Sequence, residues 1–289
     1  YERYRDKDPA DVYGSALSCL AHGASEYFWW YFSYVNGEVK FVDPAKPSSR
    51  LAAVYKVMRE MEPAVAGARA SGDLLVLYSR ASEDTWHWLA SKSVGAPICG
   101  LDPNPKRGFV AHRNVLYWLL RRGYPFRMTF VDNPDPARLA AAKVILVPFP
   151  FSLKESEAKA IEAQARAGKT VILFSELSPV DERGQLLEAP RLAPLFGAQE
   201  IDPDAEGATE AKVGKGRVVY LGGDHAVRLF RETPPVKDPK AVVPLPQFEA
   251  ATTAALEKLL GAGRSLFAAQ PARDVEATLL RGARGRVLL

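Results

Sequence analysis

The chain has 289 residues, which at roughly 150 residues per domain suggests about two domains. Charged residues make up 25% and hydrophobic residues 47%, values that exclude a disordered or low-complexity chain. The net charge of +4 comes without a cluster of basic side chains, so it gives no reason to expect nucleic acid, and no apolar run reaches the length of a bilayer span. The two cysteines, Cys19 and Cys99, build no disulfide framework and do not fix the compartment, for which the cytoplasm is the expectation. The first residue is Tyr1 rather than Met, and Arg286-Val287-Leu288-Leu289 reads as the middle of a strand. A piece of a longer protein is therefore expected.

Pro9–Ala21 predicts a helix, with Pro9 in its first turn and Val12, Leu17 and Leu20 near helical spacing. Glu26–Tyr34 follows, with seven aromatics in nine residues, which predicts a strand covered on both faces, as in a parallel α/β layer. A loop with Asn36-Gly37 and Asp43-Pro44 leads to a helix capped by Ser48 or Ser49 and running to about Ala66. Gly67–Asp73 is small and polar, as a domain boundary would be.

The pattern then restarts. Strands are predicted at Leu74–Tyr78, Phe126–Val131, Lys143–Pro148, Lys169–Phe174 and Val218–Leu221, and helices at Phe109–Arg122, Lys154–Ala167 and Phe248–Leu260. Such alternation implies βαβ units and a doubly wound parallel sheet. Asp274–Leu280 and Arg286–Leu289 flank Arg281–Gly285 and predict a hairpin, read as the opening of a small β module.

The ring-rich strand is the richest source of binding chemistry. Aromatic rings stack on the apolar faces of sugars, and the C-terminal ends of barrel strands hold the sites of (β/α)₈ enzymes. Trp29, Trp30, Tyr31 and Phe32 fall near that end, although alternate rings must face surrounding helices. Glycoside hydrolysis needs two carboxylates. Glu26 stands at the wrong end of the strand; Glu38, on the loop after it, is either a pocket-mouth acid or a solvated one. His22, His87, His112 and His225 show no metal spacing and read as structural. Trp86-His87-Trp88 reads either as a loop anchor for a partner or ligand, or as the packing of an amphipathic turn.

The second sheet offers no complete catalytic set. The turn after Val144–Val147, where a glutaminase-type hydrolase keeps its nucleophile, reads Pro148-Phe149-Pro150-Phe151-Ser152. Ser152 is expected to cap the following helix, with Glu155 completing a capping box. Cys99 lies in a Pro-rich loop with no base near it in sequence, and Gly214-Lys215-Gly216 lacks the phosphate-loop arrangement. His225, after Gly222-Gly223-Asp224, would be the relic of a catalytic histidine without a nucleophile.

Gly14-Ser15-Ala16-Leu17-Ser18-Cys19-Leu20-Ala21-His22-Gly23-Ala24, the aromatic strand, Val42-Asp43 and Ser49-Arg50 together resemble the end of the catalytic barrel in glycoside hydrolase family 42 β-galactosidases. Leu75-Val76-Leu77-Tyr78, Leu119-Leu120-Arg121-Arg122-Gly123, Lys143–Val147 and Gly168-Lys169-Thr170-Val171 are similar to the trimerisation domain of those enzymes. That domain has a glutamine-amidotransferase-like fold without a nucleophile. The resemblance implies three segments: 1–68 as the end of the barrel, 69–270 as the trimerisation domain and 271–289 as the opening of a C-terminal β domain. It implies a retaining β-glycosidase acting on β-galactosides, a homotrimer, and no cofactor or metal. The family's two catalytic glutamates come from earlier barrel strands, so no catalytic residue is carried over. Trp29, Trp30, Tyr31, Phe32 and Glu38 are the implied sugar-site residues. Tyr31-Phe32-Ser33 replaces the family's aromatic–basic run. The rival readings are a non-catalytic assembly module and an independent amidotransferase-like hydrolase, which would require a nucleophile near Pro150.

Overall fold

A computed structural model describes residues 33–35, 38–40, 56–57, 59–197, 201, 208–223, 225–231, 247–261, 265–266, 279–282 and 285–288. The chain divides into two compact units, one of residues 72–275 and one of residues 1–71 with 276–289.

The larger unit is built on a six-stranded sheet. Its strands are β4 (Leu74–Tyr78), β5 (Phe126–Phe130), β6 (Val144–Val147), β7 (Thr170–Phe174), β8 (Ala208–Val213) and β9 (Gly216–Leu221), in the order β5-β4-β6-β7-β9-β8. Five are parallel, and β8 runs antiparallel to β9 at one edge. The parallel five follow the 2-1-3-4-5 order of doubly wound α/β folds. Among the described residues six helices accompany them: α1 (Arg80–Lys92), α2 (Arg107–Arg121), α3 (Pro136–Ala141), α4 (Glu155–Arg166), α5 (His225–Arg228) and α6 (Ala250–Leu260).

The continuous apolar runs of β4, β6 and β7 have a direct physical meaning. Successive side chains point to opposite faces, so a run apolar at every position needs a dry layer on both sides. Leu74, Val76, Leu146, Ile172 and Val219 pack with Trp118 and Leu119 of α2 and Leu256 and Leu260 of α6. Their neighbours Leu75, Ile145, Val171, Leu173 and Val218 pack on the other face with Ala158, Ile161 and Ala165 of α4. Across the first core the indole N–H of Trp118 donates to Thr253 Oγ1 at 3.1 Å, which satisfies the polar end of a fully buried ring.

The expected strands and helices of this unit are present, with ends displaced by at most two residues. Local periodicity marks none of α1, α3, α5 and β8, and His225, expected on a turn, begins a short helix. In α1 the buried stripe is Ser82, Trp86 and Ala90, a period of four whose polar and small members hide it from a hydrophobicity count. Trp86-His87-Trp88 therefore belongs to a helix and not to a loop.

The two edges of the sheet differ. Along β5, the Arg138 guanidinium donates to the Met128 carbonyl, and the Asp135 N–H donates to Thr129 Oγ1 at 2.9 Å. This covers part of the open strand edge. Among the described residues, the only ladder that β8 makes is to β9.

The other unit contains two small antiparallel sheets among its described residues. β1 (Ser33–Val35) pairs with β2 (Glu38–Lys40), Val35 opposite Glu38. The two strands are separated in sequence only by Asn36-Gly37, the commonest two-residue hairpin dipeptide. The expected strand over Glu26–Tyr34 is thus described only at its end, where it pairs antiparallel with β2. β3 (Arg69–Ala70) pairs with β12 (Leu279–Gly282), which pairs with β13 (Gly285–Leu288), so the predicted hairpin is present. The remaining strands, β10 (Phe230–Arg231) and β11 (Gln247–Phe248), form a short antiparallel pair in the larger unit.

One close approach fixes the β8–β9 turn. A Cβ at Gly216 would stand 2.3 Å from the carbonyl oxygens of both Ala165 and Lys169. These are backbone atoms of α4 and of the step into β7, which cannot swing aside. Gly216→Ala is expected to cost about 2 kcal/mol or more of unfolding free energy, measured by urea denaturation, since its relief requires backbone movement.

Candidate functional site

Doubly wound sheets bind ligands beyond the strand C-termini, where the strand order reverses. In this chain that point lies between β4 and β6, so the loops after these strands are the place to look. Both loops are closed on each other by serines. Ser79 caps α1, its Oγ accepting from the Ser82 N–H at 3.1 Å and donating to Ser82 Oγ at 2.8 Å. Ser82 Oγ donates to the Ser152 carbonyl at 3.0 Å and accepts from the Ser152 N–H at 2.9 Å. Ser152 Oγ in turn donates to the Asp181 carbonyl at 2.7 Å, and the Leu153 N–H donates to Ser178 Oγ at 2.9 Å. Ser79, Ser82, Ser152 and Ser178 are fully buried.

This seam corrects the expected cap. Ser152 does not start α4, because its hydroxyl already holds Asp181. Lys154 is the N-cap instead, and its backbone N–H donates to the Glu157 carboxylate at 2.9 Å. Burial pushes the Glu157 carboxyl up from its usual range.

The remaining space at the switch point is filled by rings. Phe149 and Phe151, on the turn where a hydrolase nucleophile was sought, stack at 5.6 Å and 9°. Trp86 of α1 stands edge-on to both, at 5.8 and 4.9 Å. All three side chains have no exposed surface. The Trp86 N–H donates to the Asn104 carbonyl at 2.7 Å, and the Arg107 guanidinium lies 5.8 Å over its ring. Of the two readings of Trp86-His87-Trp88, Trp86 obeys the packing one; Trp88 is 54% exposed.

The candidate catalytic groups are held apart. His225 begins α5, and its Nδ1 lies 2.6 Å from Thr252 Oγ1, so the ring is engaged with α6. His87 is exposed on α1, with Nδ1 3.4 Å from the Pro105 carbonyl. Cys99 is at the tip of a tight turn closed by two Ile98–Leu101 bonds of 3.0 and 2.9 Å. Its φ is +51° and that of Gly100 is +80°. Desolvation, then the Glu176 carboxylate, pushes its thiol pKa up, the opposite of what a nucleophile needs. Ser175, after β7, has φ +63° in a turn closed by a 2.6 Å bond from the Glu176 N–H to the Phe174 carbonyl, and its buried hydroxyl bonds no base. Nothing in a sequence pattern marks that strained position. Among the described residues, no three His, Cys, Asp or Glu side chains converge as metal ligands do.

The sugar-site candidates belong to the other unit. Trp29, Trp30, Tyr31 and Phe32 lie outside the described residues. Glu38, expected on a loop, stands in strand β2 opposite Val35.

No protein-family model matches the sequence, and no curated protein matches it. Solved structures do. A cold-adapted β-galactosidase from Rahnella sp. R3 aligns at 16% identity over 95% of this chain and 45% of its own, with a TM-score of 0.60. A catalytic mutant of Gan42B, a GH42 β-galactosidase from G. stearothermophilus, aligns at 14% over 96% and 44%, with a TM-score of 0.61. The β-galactosidase of Bacillus circulans sp. alkalophilus gives 14%, 95%, 45% and 0.63. The chain has the fold of part of these galactosidases. It spans under half the length of each.

Two outcomes follow from this geometry. Ser82→Ala removes an oxygen that serves three buried bonds and strands the Ser152 N–H, so unfolding free energy should fall by about 1–3 kcal/mol in a denaturant titration. His112 of α2 is buried against the Tyr78 ring at 4.6 Å, and its Nδ1–H donates to the Gly108 carbonyl at 2.9 Å. Burial holds its pKa below the ordinary 6.5. The unfolded chain therefore takes up this proton first as pH falls. The contribution of His112 is complete above about pH 6.5 and is lost as pH drops toward the lower folded value. Melting temperature measured from pH 7.5 to 5 should decline, and His112→Gln should flatten that slope.

Proposed function

We propose that this chain is the C-terminal portion of a retaining β-glycosidase, β-galactosidase-like, acting on terminal β-galactosides. The single observation that carries the reading is the fold likeness to the galactosidases over 95–96% of the chain. On this reading residues 1–68 end a (β/α)₈ barrel, residues 69–270 are an amidotransferase-like trimerisation domain, and residues 271–289 open a small β domain. The two glutamic acids of the reaction, one protonating the leaving oxygen and one attacking the anomeric carbon, belong to other segments of the parent enzyme. Trp29, Trp30, Tyr31 and Phe32 provide ring faces for the sugar, and Glu38 accepts from its hydroxyls.

The packing of the larger unit supports a non-catalytic part for it. Its switch-point crevice is filled by Trp86, Phe149 and Phe151 and bonded shut by Ser82 and Ser152, which leaves assembly as its role, as a homotrimer. The same observation favours the rival assembly-module reading for the whole chain, and sugar binding separates the two.

The purified chain is expected to show no turnover of an aryl β-galactoside. Hydrolysis that disappears on mutating a residue of this chain would refute the proposal. In a galactose titration of the parent enzyme, Trp29→Ala or Trp30→Ala should weaken binding severalfold; an assembly module would show no galactose affinity to lose.

A further inference from the structure

We propose that β8 pairs antiparallel with β8 of a second copy of this chain, about a two-fold axis through Ala211. The proposal starts from the asymmetry of the sheet. The β5 edge is covered by Arg138 and the α3 turn, whereas β8 is hydrogen-bonded along one side, to β9. Among the described residues, no backbone bond from another element reaches Ala208–Val213. Every second N–H and C=O of an edge strand points away from its sheet, and such a row is a template for a further strand.

The occupant follows from the sequence of the strand. Ala208, Glu210 and Lys212 are exposed on one face; Thr209 and Ala211 are half-buried and Val213 is buried on the other. Residues directly opposite each other in an antiparallel pair must point to the same face. A two-fold axis perpendicular to the sheet therefore passes through a residue and never between residues. Axes at Glu210 and Ala211 each oppose five residues of the strand, whereas axes at Thr209 and Lys212 oppose only three, so overlap disfavours the outer two. An axis at Glu210 opposes two glutamates, and an axis at Lys212 opposes two lysines. An axis at Ala211 opposes Glu210 to Lys212 twice, Ala211 to Ala211, and Thr209 to Val213. Like charges directly opposite are unfavourable and unlike ones favourable, so overlap and charge together select the Ala211 register. The buried–exposed alternation continues unbroken from one copy into the other.

The existing ion pair does not compete. Glu210 Oε2 is 3.1 Å from Arg217 Nη1, with both side chains more than two-fifths exposed. Exposed pairs of this kind hold their partners weakly, and a carboxylate has room for a second donor. Lys212 has no ion pair among the described residues. A strand of six residues makes a small interface, so the contact is a weak, reversible one. It is isologous, each copy offering the same edge. It is also distinct from threefold assembly, since a two-fold contact adds copies in pairs.

The test reads register and charge separately. In a Cys19→Ser, Cys99→Ser background, Ala211→Cys should form a disulfide-linked dimer under mild oxidation, and Thr209→Cys should give several-fold less. Sedimentation at rising concentration should show pairing of the unmodified chain. Glu210→Lys and Lys212→Glu should each abolish the pairing, and the double exchange Glu210→Lys, Lys212→Glu should restore it. Equal crosslinking at positions 209 and 211, pairing indifferent to the single exchanges, or no rescue by the double exchange would each overturn the proposal. None of these outcomes bears on hydrolysis by the parent enzyme, and a trimer insensitive to the exchanges would sink this contact while leaving the threefold assembly standing.

Discussion

A parallel strand inside an α/β layer has no wet side. Once Leu74–Leu77, Val144–Val147 and Val171–Phe174 are apolar at every position, both faces of the sheet must be roofed, and the chain has to return over the sheet after each strand to provide the roof. The helices α2, α4 and α6 are answers to that demand. α2 and α6 close one face around Trp118, and α4 closes the other with alanines and Ile161, small enough to let its axis approach the strands. The close contact of Gly216 with the end of α4 is the same demand expressed at the edge.

The constraint also shapes what the C-terminal end of the sheet can do. Loops there are free to vary, and in doubly wound proteins they usually hold a ligand. In this chain they hold each other. Ser82 and Ser152 give the switch point the hydrogen bonds that a bound ligand would otherwise supply, and Trp86, Phe149 and Phe151 occupy its volume. A fully bonded polar seam beside stacked rings makes a rigid structural joint. The open chemistry of the unit lies at the opposite kind of place, the lateral edge at β8, where backbone groups and alternating charges face outward.

Fold likeness to the galactosidases at 14–16% identity is what such packing rules allow. Binary pattern and strand order survive extensive replacement of side chains, because they depend on which positions are dry. Specific chemistry depends on single groups and is lost or gained far more easily. The fold and the activity are therefore separate questions for this chain. The packing of the larger unit bears on the first.

The α/β class, the five parallel strands, three of the helices that cover them, the closing hairpin and the lack of a cysteine on the turn after β6 are legible in the sequence alone, because each is written in local periodicity or in one residue's identity. Tertiary structure decided the rest. The stripe of α1 is Ser82, Trp86 and Ala90, apolar only in part, and is recognisable as buried only once Ser152 is seen across from it. Ser152 looks like a helix cap until its hydroxyl is found on Asp181, and His225 like a relic of catalysis until its ring meets Thr252. β8 alternates polar and small residues and shows itself as a strand only beside β9. Periodicity reports how a segment meets water; which partner satisfies a hydroxyl, an imidazole or an edge is a contact over long sequence separation, and that information exists only in the folded chain.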